Sequence, residues 1–165
     1  HPGKQLLFMG GEFGQESEWG ESRELDWWLL DHSDHAGNRR LVADLNRAYL
    51  ANPALWSQDA GPAGFEWIDA NDAAGNVFSF LRWGSDGSVV ACVANFSALP
   101  HERYRLGLPA AGRWSEVVNT DAVDYGGSGV GNLGAIQTEK FGWHGRPVSA
   151  ELRLPPLGTL WLRPG

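Results

Sequence analysis

Seven short runs of β-forming residues occupy the chain from residue 65 onward, and they constrain its architecture more than any other feature. They read FEWIDA (65–70), VFSFLRW (77–83), SVVACVANF (88–96), RYRLGL (103–108), WSEVV (114–118), VSAELRL (148–154) and TLWLR (159–163). Gly, Asn, Asp and Pro separate them. In the sixth run Ala150, Leu152 and Leu154 alternate with Glu151 and Arg153, the period of a strand buried on one face. Gly84-Ser85-Asp86-Gly87 is a hairpin-type turn between the second and third runs. Seven short strands at this spacing predict an antiparallel sandwich.

The front of the chain has a different texture. Residues 5–9 (QLLFM) are apolar on both sides of the strand period, so they read as a strand buried on two faces. A polar loop follows over roughly 10–35, with seven acids between Glu12 and Asp31 against the single base Arg23. Leu41, Val42, Leu45, Ala48 and Tyr49 then form one helical stripe, with Asp34 or Asn38 as candidate caps. Asn52-Pro53 ends that helix, because proline disfavours helical geometry in the residue before it. Strand, loop and helix make one unit of an α/β fold. Pro53, Gly61, Pro62 and Gly64 mark the boundary with the β-rich part.

Composition excludes several classes. A net charge of −7 argues against nucleic acid or an anionic membrane as the main partner. No apolar run approaches the ~20 residues of a membrane span. The single Cys92, central in the most apolar run, rules out an internal disulfide and reads as a buried, inert thiol. The chain opens on His1-Pro2-Gly3 without an initiator Met or signal-like stretch, so it reads as a fragment of a longer protein.

Candidate chemistry is sparse. Gly129–Gly134 matches G-x-G-x-x-G, but a Gly/Ser loop precedes it and no helical period follows, which excludes a dinucleotide site. Between Asp124 and Gly134 the Gly-rich run reads as a long loop joining two strands. His32 and His35 read as loop and cap residues rather than as metal ligands. Glu12 follows three residues after the buried strand, where a barrel strand would present a carboxylate to a site; alternatively it anchors the loop by pairing with Arg23. Of the nine Trp, Trp19, Trp27, Trp28 and Trp67 lie in or beside loops. An indole offers a flat apolar face and one donor, which suits the C–H face of a pyranose ring. Trp83, Trp114 and Trp161 read as packing residues.

The words of the sequence are also specific. HPGKQLLFMGGEFGQESEW, LDWWLL, RLVADLNRAYLANPALW, GFEWIDAND, VACVANFS, WSEVVNTD and LPPLGTLWL occur in order. Together they resemble the C-terminal part of bacterial 1,4-α-glucan (glycogen) branching enzymes, within the α-amylase family of glycoside hydrolases. The resemblance implies that residues 1–58 are the end of a (β/α)8 catalytic barrel, with its eighth strand at 5–9 and eighth helix at 37–52. Residues 59–165 would be the all-β C-terminal domain. The implied reaction cleaves an α-1,4 link and transfers the freed chain to a 6-hydroxyl, making an α-1,6 branch with retention, which needs two carboxylates but no metal or cofactor. The resemblance puts the catalytic Asp, Glu and Asp before His1, so no catalytic residue is expected in this chain and the chain alone is expected to be inactive. Substrate-binding candidates are Glu12, Gln15, Trp19, Asp26, Trp27 and Trp67. Expected partners are α-1,4-glucans and the rest of the barrel, in the cytoplasm. Rival readings are a stand-alone α-glucan-binding module and the tail of another α-amylase-family enzyme. Residues 1–52, with an unpaired strand, are expected to be poorly stable alone, and 65–165 to fold independently.

Overall fold

A computed structural model describes residues 4–165; His1-Pro2-Gly3, the start of the barrel-end unit expected over 1–58, lie outside the described residues. One long helix, α1 (Ser33–Ala51), precedes eight strands. These are β1 (Phe65–Asp72), β2 (Val77–Trp83), β3 (Val89–Asn95), β4 (His101–Leu108), β5 (Arg113–Asn119), β6 (Ala135–Gln137), β7 (Val148–Leu154) and β8 (Thr159–Pro164). A six-stranded sheet runs in the order β1-β2-β3-β8-β5-β6, and β4 pairs with β7 in a second sheet. Every pair is antiparallel. The expected sandwich is therefore present, with one strand more than the seven runs. The extra strand, β6, has only three residues, too few to show a period.

The core lies between the sheets. Val77 and Leu81 of β2, Ala91 and Val93 of β3, Leu106 and Leu108 of β4, and Ala150, Leu152 and Leu154 of β7 point into it. The alternation in β7 does what the sequence implied: Glu151 and Arg153 are exposed. In β3, by contrast, both faces are covered. Val90 and Cys92 face outward and are capped by Ala54 and Leu55, with Tyr49, Phe80 and Trp161 at the margin. Burial pushes the Cys92 thiol up to about 12, so it stays protonated and inert.

Two readings of the front segment need correction. Residues 5–9 form no strand, and Leu6, Leu7, Phe8 and Met9 are at least half exposed. A strand exists only through its ladder, and among the described residues nothing pairs with this segment. The helix starts at Ser33, before the expected residue 37, and its N-cap is His32 without a side-chain hydrogen bond. Neither Asp34 nor Asn38 is the cap; Asp34 instead places its charge in the first turn, where it complements the helix dipole.

Gly37, which looks like a helix breaker, lies inside α1 because the Gly-rich loop packs on it. A Cβ there would sit 2.5 Å from the Tyr125 carbonyl oxygen. The loop is tied down beside it, with Tyr125 donating to Asp44 Oδ2 at 2.7 Å and Arg40 Nε donating to the Asp124 carbonyl at 2.9 Å. Helix propensity alone favours Gly37→Ala by up to ~1 kcal/mol, but a clash against backbone costs about 1–3 kcal/mol and wins. Gly37→Ala should therefore lower the thermal midpoint, and an unchanged or raised midpoint would contradict this packing.

Candidate functional site: two aromatic regions on one chain

The loop between residues 10 and 35 is organised around Phe13. A short 3-10 turn, Gly11–Phe13, buries the Phe13 ring completely against Trp27, 5.3 Å between centroids. Gly10, at φ 84, makes the bend into this turn. Trp27 opens a second 3-10 turn, Trp27–Asp31. Gln15 ties the loop together: its Oε1 accepts from the Asp26 backbone N–H at 3.0 Å and its Nε2 donates to the Ser17 carbonyl at 3.1 Å. The Asp26 carboxylate accepts from the Ser17 hydroxyl. Gln15 and Asp26 therefore spend their polar groups on closing the loop.

The outward-facing members of this loop are different residues. Trp19, Trp27 and Trp28 are 41%, 50% and 60% exposed, and Trp19 meets Phe8 edge-on at 5.6 Å. Glu12 does not pair with Arg23; the Arg23 guanidinium donates to the Glu18 carbonyl instead. Among the described residues the Glu12 carboxylate makes no ion pair. The loop thus brings Glu12, Gln15, Asp26 and Trp27 into one short stretch of fold.

Trp67 is on another element, strand β1, opposite Phe80 of β2. Around it the outer face of the six-stranded sheet carries an aromatic strip. Trp67 lies 4.9 Å from Phe65, 6.1 Å from Phe78 and 6.0 Å from Phe80, and Phe78 lies 5.5 Å from Phe96. Trp67 is 50% exposed and Phe96 61%. The strip borders a groove of about 530 Å³ between Trp67, Phe65, Pro62 and Gln58. Asp59 and Arg82, an ion pair at 2.8 Å, also line it, and Lys4 meets the other Asp59 oxygen at 2.7 Å. A flat, apolar, half-open surface beside a polar cluster fits a ring-shaped ligand with an apolar face. Sequence reasoning found Trp67 but missed its neighbours. Phe78 and Phe80 were visible as alternate positions of one strand; Phe96 joins only through the turn after β3.

The remaining candidates carry no chemistry. At the start of 129–134 the backbone N–H groups of Ser128, just before it, and Val130 donate to the Asp121 carboxylate, and the short strand β6 follows, so no helix N-terminus is offered to a phosphate. His35 Nδ1 contacts the Phe13 carbonyl oxygen at 2.8 Å, and the His32 and His35 rings are 6.3 Å apart. No group of three metal-ligating side chains gathers among the described residues. Trp114 is fully buried, with Trp83 packed on the same core and Trp161 at the margin of the smaller cluster, so the three strand indoles do serve packing.

Comparison with known proteins gives this geometry a context. Residues 67–165 match the family described as "Alpha amylase, C-terminal all-beta domain". The chain is 62% identical over 165 residues to the 1,4-alpha-glucan branching enzyme GlgB of Mycolicibacterium paratuberculosis and 61% identical to that of Mycobacterium tuberculosis. In both cases the alignment takes in 99% of this chain and 23% of the relative. The chain thus spans about a quarter of the length of the curated relatives it matches. Among solved structures, an alpha-amylase from H.orenii aligns with 79% of this chain and 20% of its own, at 16% identity and a TM-score of 0.44.

Proposed function

We propose, starting from the fact that this chain belongs to the family of alpha amylase C-terminal all-beta domains, that it is the C-terminal part of a 1,4-α-glucan branching enzyme. The observation that carries this reading is the 61–62% identity to branching enzymes across 99% of the chain. In this reading the parent protein cleaves α-1,4 links and transfers the freed chain to a 6-hydroxyl. The catalytic carboxylates belong to the part of such enzymes that this chain does not cover. Residues 1–58 are the end of the catalytic barrel and 59–165 the β-sandwich.

One feature supports the division. The exposed Leu6 and Leu7 line an apolar groove of about 500 Å³ with Val42, Leu45 and Tyr49 of α1. An apolar surface of this kind suits the neighbouring elements of a barrel. The loop of Glu12, Trp19 and Trp27, shaped by Gln15 and Asp26, then lies at the substrate side, with Glu12 available to sugar hydroxyls. Trp67 and its aromatic strip hold an α-glucan such as glycogen or a maltooligosaccharide. The reading carries with it a cytoplasmic setting and neither nucleic acid nor membrane as a partner. No helix among the described residues is long and apolar enough to cross a membrane.

The decisive experiment is an exchange. Placed in the M. paratuberculosis branching enzyme in place of its matching segment, this chain should sustain branching, read from the chain-length profile after debranching. The chain alone should show none. A folded but inactive exchange protein would overturn the reading. In the isolated chain Trp67→Ala should weaken maltoheptaose binding about tenfold, as expected when ~1.4 kcal/mol of stacking is lost. Calorimetry checks this.

A further inference from the structure

We propose a second α-glucan-binding surface, formed by Phe141 and Trp143 on the segment between β6 and β7. The inference rests on the α-glucan reading above. The two rings lie 6.3 Å apart with planes only 26° from parallel, and they are 51% and 44% exposed. Side chains two apart on an extended segment share a face.

What distinguishes this pair from scattered surface aromatics is how firmly it is held from behind. His144 and Gly145, at φ 49 and 70, form a tight turn closed by Trp143 N–H donating to the Arg146 carbonyl at 3.1 Å and Arg146 N–H donating back at 2.8 Å. This reciprocal pairing fits a two-residue hairpin turn. Ser149 Oγ donates to the Phe141 carbonyl at 2.7 Å. The Arg105 guanidinium sits 4.9 Å from the Phe141 ring centroid and is itself fixed by Glu139, Glu151 and Ser149. Arg146 is anchored to Glu66 at 2.5 Å. The backbone is rigid and the rings are open, the preorganised arrangement that lowers the entropic cost of binding.

The ligand class follows from shape and charge. The exposed parts of the two rings offer an apolar surface that suits pyranose C–H faces. Arg105 is paired with Glu139 and Glu151, and Arg146 with Glu66, so of the cations beside the rings only Lys140 has no carboxylate partner among the described residues, and a ligand without charge fits this rim. Glu139, 60% exposed at its side chain, remains within the rim as an acceptor for hydroxyls. Two rings offer far less than the roughly 800 Å² per partner of a stable protein interface. The surface is separate from Trp67: Glu66, which holds Arg146, is the neighbouring residue on β1 and so points to the other face of that strand.

The test uses the whole chain carrying Trp67→Ala, so that the first surface is silent. It should still bind glycogen in affinity electrophoresis, and adding Phe141→Ala with Trp143→Ala should raise the dissociation constant about tenfold or more. Unchanged binding, with an unchanged circular dichroism spectrum, would overturn the site and leave the branching-enzyme reading standing, because that reading is tested by the activity of the exchange protein. Should the triple variant fail to fold, the indole resonance of Trp143 in the labelled wild-type chain decides. It should shift on titration with maltoheptaose. A resonance that stays fixed, or moves only with protein concentration as a contact between copies would, sinks the proposal.

Discussion

Trp114→Ala is expected to lower the unfolding free energy by about 3–5 kcal/mol, the range for deleting a large buried aromatic. Trp114 is the largest of the fully buried side chains. It sits on β5 between Ile136 of β6 and Pro164 of β8, one strand from the edge of the six-stranded sheet, and it belongs to the main core. Its indole N–H donates to the Ala110 carbonyl at 3.0 Å, so the side chain both fills volume and satisfies a backbone oxygen. The two neighbouring strands, β6 and β8, would have to collapse to fill the void, and the ladders of β5 hold them apart. Trp114→Phe keeps most of the volume but strands the Ala110 carbonyl, for a loss of about 1–3 kcal/mol. Urea unfolding at neutral pH measures both. A loss below about 1 kcal/mol for Trp114→Ala would mean that the end of the sheet is not part of the cooperative core.

The second large effect concerns Asp59, which joins the front of the chain to the sandwich. Its side chain is 6% exposed, and it accepts from Lys4 at 2.7 Å, from Arg82 at 2.8 Å and from the Tyr49 hydroxyl at 3.2 Å. The two cations are not equivalent. Lys4 is 68% exposed and Arg82 only 12%. Lys4→Ala should therefore change stability little, as the loss of an exposed ion pair does. Asp59→Ala leaves the Arg82 guanidinium buried without its carboxylate and should cost about 3 kcal/mol or more.

The same residue sets a pH dependence. Burial works to raise the Asp59 carboxyl, but hydrogen bonds from Lys4, Arg82 and Tyr49 outweigh it and hold the group below its ordinary 3.8. Because the folded value is depressed, its contribution is fully present above pH 3.8 and is lost as pH falls from there through the folded value. Comparing urea unfolding at pH 7 and at pH 3, Asp59→Asn should shrink the difference seen for the wild-type chain. An equal difference in both proteins would show that Asp59 does not sense acid in the fold.

Much of the sandwich was legible in the sequence because a strand with one wet face alternates. VSAELRL carries that period, VFSFLRW reads as a β-forming run with aromatics on its outer face, and the ends of both were read correctly. The alternation fails in β3, whose outer face is covered by Ala54 and Leu55, yet the run stays readable as a continuous apolar stretch. Boundaries set by long-range contact were not legible. Nothing local to Gly37 announces that Tyr125, far along the chain, needs the space of a missing Cβ. QLLFM shows the opposite failure, since its apolar run was read correctly but a strand also requires a partner.

The candidate site divides in the same way. Trp67 stood out as an indole beside a loop, and its composition alone suggested sugar stacking. The strip around it depends on the register that places Trp67 opposite Phe80. Gln15 and Asp26 were legible as polar residues of a front loop. That they bond to each other rather than point outward follows from the bend at Gly10 and the burial of Phe13.

By itself the sequence determined the composition of the layers: many short strands, one amphipathic helix, a buried inert thiol and an acidic net charge. These follow from local periodicity and charge, which need no knowledge of neighbours. Only the tertiary structure decided which open aromatics stand together, which carboxylate joins the two parts, and where a helix can run through a glycine. Those outcomes depend on contacts between residues tens of positions apart, and packing chooses among arrangements that local propensity leaves equal.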